Sequence, residues 1–201
     1  MKINNLLESV SAIVYHFTTF PAAVEILKTD TLKSSSKRSN RISLSRSITG
    51  QFAPSNRLIG VIFELDGRKL SYTYKGGPVG GGWTADDKNG KSTQYEDLIN
   101  ANEIKNISSY ITDAFIYLPV KFFRNFDDEF MRDYLPQLEK LPTVVNQLSS
   151  AGLPLKFILN KNDLYNKRYS NLEDAKQAIK KNMTTIGMGG IPPELESFLN
   201  S

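Results

Sequence analysis

Val14-Tyr15-His16-Phe17-Thr18-Thr19, running on into Phe20-Pro21-Ala22-Ala23-Val24-Glu25-Ile26-Leu27-Lys28, is the stretch on which the reading of this chain turns. From Ala12 to Thr18 it is a short apolar run and reads as a strand. Pro21 then suits the first turn of a helix reaching about Lys28, since its missing N–H has no partner to lose there. Ala22, Ala23, Ile26 and Leu27 give that helix an apolar side. His16 is the one histidine in 201 residues. A lone histidine is ordinarily a packing or surface residue, so its meaning depends on the other motifs of the chain and their order.

Arg41 to Ser47 alternates Ile42 and Leu44 with Ser43 and Ser45, as a half-buried strand does. Between the helix and this strand, residues 29–40 are polar and read as a loop. Lys33, Lys37, Arg38, Arg41 and Arg46 make a basic cluster suited to phosphates, nucleic acid or an acidic partner, or simply to solvent. Arg57 to Leu65 contains the clearest strand, Leu58-Ile59-Gly60-Val61-Ile62-Phe63, and Asp66-Gly67 reads as a turn after it. Tyr74 to Thr93 is a long glycine-rich connection carrying Trp83. It is not a Walker loop: before Gly90-Lys91-Ser92 the required upstream glycine is replaced by Ala85. Glu96 to Asn100 suits strand or helix. Farther on, Ala114 to Val120 reads as a core strand, Asp127 to Ser150 as a helical region broken at Pro136 and Pro142, and Leu155 to Leu159 as a last strand. Asn171 caps a helix from Leu172 to Lys181, and Glu194 to Leu199 is a short amphipathic piece. Residues 3–12 suit an amphipathic helix. Strands and helices mix without regular alternation, which predicts an α+β fold.

Composition bounds the chemistry. Apolar residues are 40% and aromatics 10%, enough for a core, and the net charge is +4. The absence of cysteine excludes disulfides, thiolate nucleophiles and cysteine-ligated zinc, and fits a cytoplasmic setting. One histidine without cysteine argues against catalytic zinc, so no metal is expected. No stretch approaches the roughly 20 apolar residues of a membrane span, and the first residues do not read as a secretory signal. No Gly-x-Ser-x-Gly elbow supports a serine hydrolase.

A histidine strand, a serine strand and then Gln94-Tyr95-Glu96 occur in the order used by NAD-dependent ADP-ribosyltransferases. Tyr15-His16-Phe17-Thr18, with Ile26-Leu27 and Leu32 beyond it, resembles the opening of small bacterial and phage members. Ile42-Ser43-Leu44-Ser45 resembles their Ser-Thr-Ser strand, with leucine at the middle place. Gln94-Tyr95-Glu96 resembles their Gln/Glu-x-Glu motif. The likeness covers about residues 12–120. It implies a split-sheet α+β fold with NAD as substrate. It implies Glu96 as the catalytic carboxylate, Gln94 beside the acceptor, and His16 on the nicotinamide-side ribose. Thr18 would support the nicotinamide pocket, Ser45 would brace Glu96, Arg46 would meet the pyrophosphate, and Trp83 would stack on NAD from the glycine-rich loop. None of this chemistry needs a metal or a thiol: a carboxylate stabilises an oxocarbenium-like centre.

The expected organisation is an N-terminal helix at 1–11, a transferase-like core at 12–120 and a completing segment at 121–201. The expected activity is mono-ADP-ribosylation of a host macromolecule, protein or nucleic acid, by a bacterial or phage effector. NAD hydrolysis would use the same residues. An inactive module with a phage-particle or host-protein partner is one alternative. A nucleic-acid binder using Lys33 to Arg46 is another, and it would show steep salt dependence.

Overall fold

The computed structural model describes residues 12–34, 41–45, 59–74, 77–78, 96–99, 101–118, 136–159, 169–185 and 193–200. Strand β1 spans Ile13–Thr18, and helix α1 follows at Phe20–Thr29. Then come β2 (Thr31–Lys33), β3 (Ile42–Ser45) and β4 (Gly60–Asp66). Helix α2 (Gly67–Tyr74) precedes β5 (Gly77–Pro78), β6 (Glu96–Ile99), β7 (Glu103–Lys105) and β8 (Ile111–Tyr117). The chain continues with α3 (Leu141–Ser150), β9 (Leu155–Ile158), α4 (Leu172–Thr185) and α5 (Pro193–Asn200).

Seven strands form one sheet in the order β5-β6-β3-β1-β4-β8-β9, and β2 pairs with β7 in a second, two-stranded sheet. The pairs β1/β3, β3/β6, β5/β6 and β2/β7 are antiparallel, and β8/β9 is parallel. A parallel pair needs a crossover between its strands; α3 lies in that connection and packs near β9. This is a mixed α and β architecture, consistent with the expected α+β class.

Two compact units divide the chain. One comprises Met1–Phe17, Ile26–Ala53 and Phe63–Asp113; the other comprises Thr18–Glu25, Pro54–Ile62 and Ala114–Ser201. In the first, Leu44, Leu65, Leu70, Ile99 and Ile104 are buried. In the second, Phe115, Ile116, Leu141, Val144 and Phe157 are buried, drawn from β8, α3 and β9. Val144 and Leu148, one turn apart, form the inward stripe of α3.

Two expectations are corrected. Residues 29–40 do not read through as loop: Thr31–Lys33 is a strand, paired residue for residue with Lys105, Ile104 and Glu103. Its three residues are too few for periodicity to reveal, and its partner lies far along the chain. Asp66-Gly67 does not end in a simple turn, because Asp66 Oδ1 accepts the Lys69 N–H at 3.0 Å and so caps α2. The helical region is interrupted near Pro142 as expected: helix at 136–138 gives way to a turn at 139–140, and α3 begins afresh with Pro142 in its first turn. Asn171 caps as expected, its Oδ1 accepting the Asp174 N–H at 2.8 Å. The expected helix at 3–12, most of the glycine-rich connection and the 119–135 segment lie outside the described residues.

Candidate functional site

Three stretches far apart in sequence become neighbours in the first unit. β6 pairs with β3, and β3 pairs with β1. The register sets Tyr15 opposite Ser45, and Ser45 opposite Glu96. One row across three strands therefore contains the histidine's neighbour, the second strand serine and the glutamate. In sequence, 80 residues lie between the two ends of that row, Tyr15 and Glu96.

The row runs through Tyr15, and His16 is displaced from it by one residue. Side chains alternate across a strand. His16 thus shares parity with Val14 and Thr18, both buried, while Ile13 on the other parity is exposed. The β1/β3 register pairs Tyr15 with Ser45. The Ser43 backbone lies within hydrogen-bonding reach of the His16 ring and favours its protonated form.

His16 keeps partial solvent exposure as a residue. Its ring is nonetheless desolvated strongly enough to bring its pKa down from 6.5 to about 4, with the Ser43 bond opposing the shift. The imidazole is therefore neutral at neutral pH. A neutral ring has one donor and one acceptor. With its N–H turned to the Ser43 backbone, the neutral ring would present its other nitrogen as an acceptor.

Ser45 is buried, whereas Ser43 on the same strand is exposed. The plain alternation expected of Ile42 to Ser45 holds for Ile42, Ser43 and Leu44 and fails at Ser45. Thr18 belongs to the second unit and is 8% exposed there. Gln94, Arg46 and Trp83 lie outside the described residues. Glu96 opens β6, so the choice between strand and helix at 96–100 resolves as strand.

Sequence reasoning overlooked Tyr15 as the residue in register with Ser45. It also overlooked the Ser43 backbone, which no side-chain motif can signal. Parity along β1 was the available clue, since residues of like parity share a face. Among the described residues, no helix is long and apolar enough to cross a membrane. In comparisons with protein-family models, curated proteins and solved structures, the chain matches none.

Proposed function

We propose that this chain cleaves the nicotinamide–ribose bond of NAD and transfers ADP-ribose to a macromolecular acceptor. The observation that supports this most is the adjacency of β1, β3 and β6, with Tyr15, Ser45 and Glu96 in one register row and His16 next to Tyr15 on β1.

In this reading the carboxylate of Glu96 stabilises the positive charge that develops at the ribose anomeric carbon. The carbon–nitrogen bond breaks with its electron pair passing to the pyridinium, so nicotinamide leaves neutral. An acceptor nucleophile then bonds to the same carbon and releases its proton to solvent. Neutral His16 accepts a hydrogen bond from a ribose hydroxyl through the nitrogen that does not face Ser43. Ser45, buried in register with Glu96, holds that end of the strand in place. Gln94 and Arg46 keep the roles implied by the resemblance, at the acceptor and the pyrophosphate.

The test is nicotinamide release from NAD by the purified protein, alone and with a bacterial lysate, beside Glu96→Gln. Release that the substitution abolishes supports the reading, and dependence on lysate separates transfer from hydrolysis. Absence of both release and NAD binding in the wild type overturns it.

A further inference from the structure

Helix α2 packs beside β6 within the first unit, and one stripe of it is exposed. Its inner side is fully engaged. Leu70 is buried, and the Tyr74 ring lies 6.2 Å from the Tyr110 ring. The Tyr74 hydroxyl accepts the Lys105 N–H at 3.1 Å. Lys69 Nζ donates to the Ser109 carbonyl at 2.8 Å and sits 5.2 Å from the centre of the Tyr110 ring. One of the two cations of α2 is thereby pinned to the fold.

The other cation is Arg68. It is exposed, and Tyr72 stands four residues on, on the same stripe of the helix. Tyr72 is 92% exposed. Among the described residues, neither side chain makes a hydrogen bond, an ion pair or a ring contact. α2 contains no acidic residue, and Asp66 before it is occupied by the Lys69 N–H. Among the described residues the only other large exposed apolar side chain is Ile13. Among the described residues, then, no broad apolar patch of the kind that marks protein interfaces adjoins Tyr72. An exposed planar ring on one helix stripe with a guanidinium instead matches a base and its phosphate. Rings stack on any base, and arginine holds phosphate by paired donors. Four residues of helix rise about 6 Å, which one nucleotide spans.

We propose that Arg68 and Tyr72 form a docking site for single-stranded nucleic acid. A base stacks on the Tyr72 ring and a phosphate oxygen accepts from Arg68. The docking does not depend on the NAD-cleaving function proposed for Glu96.

The test is fluorescence anisotropy of the full chain with a labelled oligothymidylate of about 12 nucleotides, without NAD. The wild type is expected to bind. Tyr72→Ala weakens binding about tenfold, the loss of one stacked base, and Tyr72→Phe, which keeps the ring, restores it. Arg68→Gln weakens binding and lowers the slope of log affinity against log salt by about 0.7, one single-strand phosphate contact. Both positions are on the surface, and circular dichroism checks that the variants fold. Wild type that does not bind at low salt overturns the proposal, as does a Tyr72→Ala variant that binds equally well. Displacement by polyglutamate as effective as by unlabelled oligonucleotide also overturns it, by identifying an acidic polypeptide site. Nicotinamide release without oligonucleotide binding leaves the enzyme and removes the docking site. Oligonucleotide binding without release does the reverse.

Discussion

His16 shows how a residue's surroundings override its type. Free histidine titrates near 6.5, but here burial holds the ring neutral down to about pH 4. The folded state thus binds fewer protons than the unfolded state between these values. Its contribution to stability is complete above pH 6.5 and is lost as pH falls toward 4, below which both states are protonated. Urea unfolding across this window should show a decline on the order of 2 kcal/mol from this group, allowing for its partial exposure. His16→Gln should remove that part of the decline. If the site turns over NAD, nicotinamide release should show no inflection at 6.5 and fall only as pH nears 4. Tyr117 is the opposite case, a buried phenol whose pKa burial pushes up to about 12. Its hydroxyl has no partner among the described residues. Removing an unpaired buried polar group relieves its desolvation. Tyr117→Phe should therefore raise stability by about 1 kcal/mol, seen as a Tm about 2–4 °C higher by calorimetry.

At the scale of elements, the join between α1 and β2 depends on one carboxylate. Asp30 has a left-handed backbone, φ 49°. Its Oδ1 accepts the Ser108 N–H at 2.8 Å, and its carbonyl accepts the Ile107 N–H at 3.2 Å. Both bonds fasten the turn to the short helical turn at Ile107–Ser109. Asp30→Ala loses the side-chain bond and keeps the strained conformation, and should cost about 1–3 kcal/mol in denaturant unfolding. Asp30→Asn tolerates the conformation and keeps an acceptor, so it should stay within about 0.5 kcal/mol of the wild type. In the second unit, α5 closes over α4. Leu199 is 1% exposed, Lys180 Nζ donates to Asn200 Oδ1 at 2.6 Å, and Lys176 Nζ lies 5.0 Å from the centre of the Phe198 ring. Burial lowers the Lys176 pKa, with Glu173 opposing and Lys180 adding to the shift. Leu199→Ala should cost about 2–4 kcal/mol, the range for emptying a buried leucine site.

At the scale of the whole molecule, ligand binding provides the test. A ligand that binds the folded chain alone raises its stability by mass action, about 2.7 kcal/mol at a hundred times Kd. NAD should therefore raise Tm in proportion to the logarithm of its concentration, and His16→Gln should reduce that shift. An unchanged Tm at millimolar NAD would count against the proposed substrate.

Strands with long or clean apolar patterns were legible before any tertiary information. β1, β4 and β9 are found where expected, within a few residues. α1 follows from Pro21 and its apolar side, and α4 from the Asn171 cap. Short pieces were not legible. β2 and β7 have three residues each, and nothing local favours a strand there until the other supplies hydrogen bonds. The Asp66 cap looked like a turn because both begin with the same residues, and only the continuation of α2 separates them. For the site, the sequence determined which chemical groups exist: one imidazole, two strand serines, a glutamate after a glycine-rich stretch, and no thiol. Tertiary structure decided which of them meet. Strand pairing set Tyr15, Ser45 and Glu96 in one row and left His16 on the other parity, because register depends on backbone hydrogen bonds between distant segments. It also decided the charge on His16, since desolvation is a property of the groups packed around a ring and not of the ring itself.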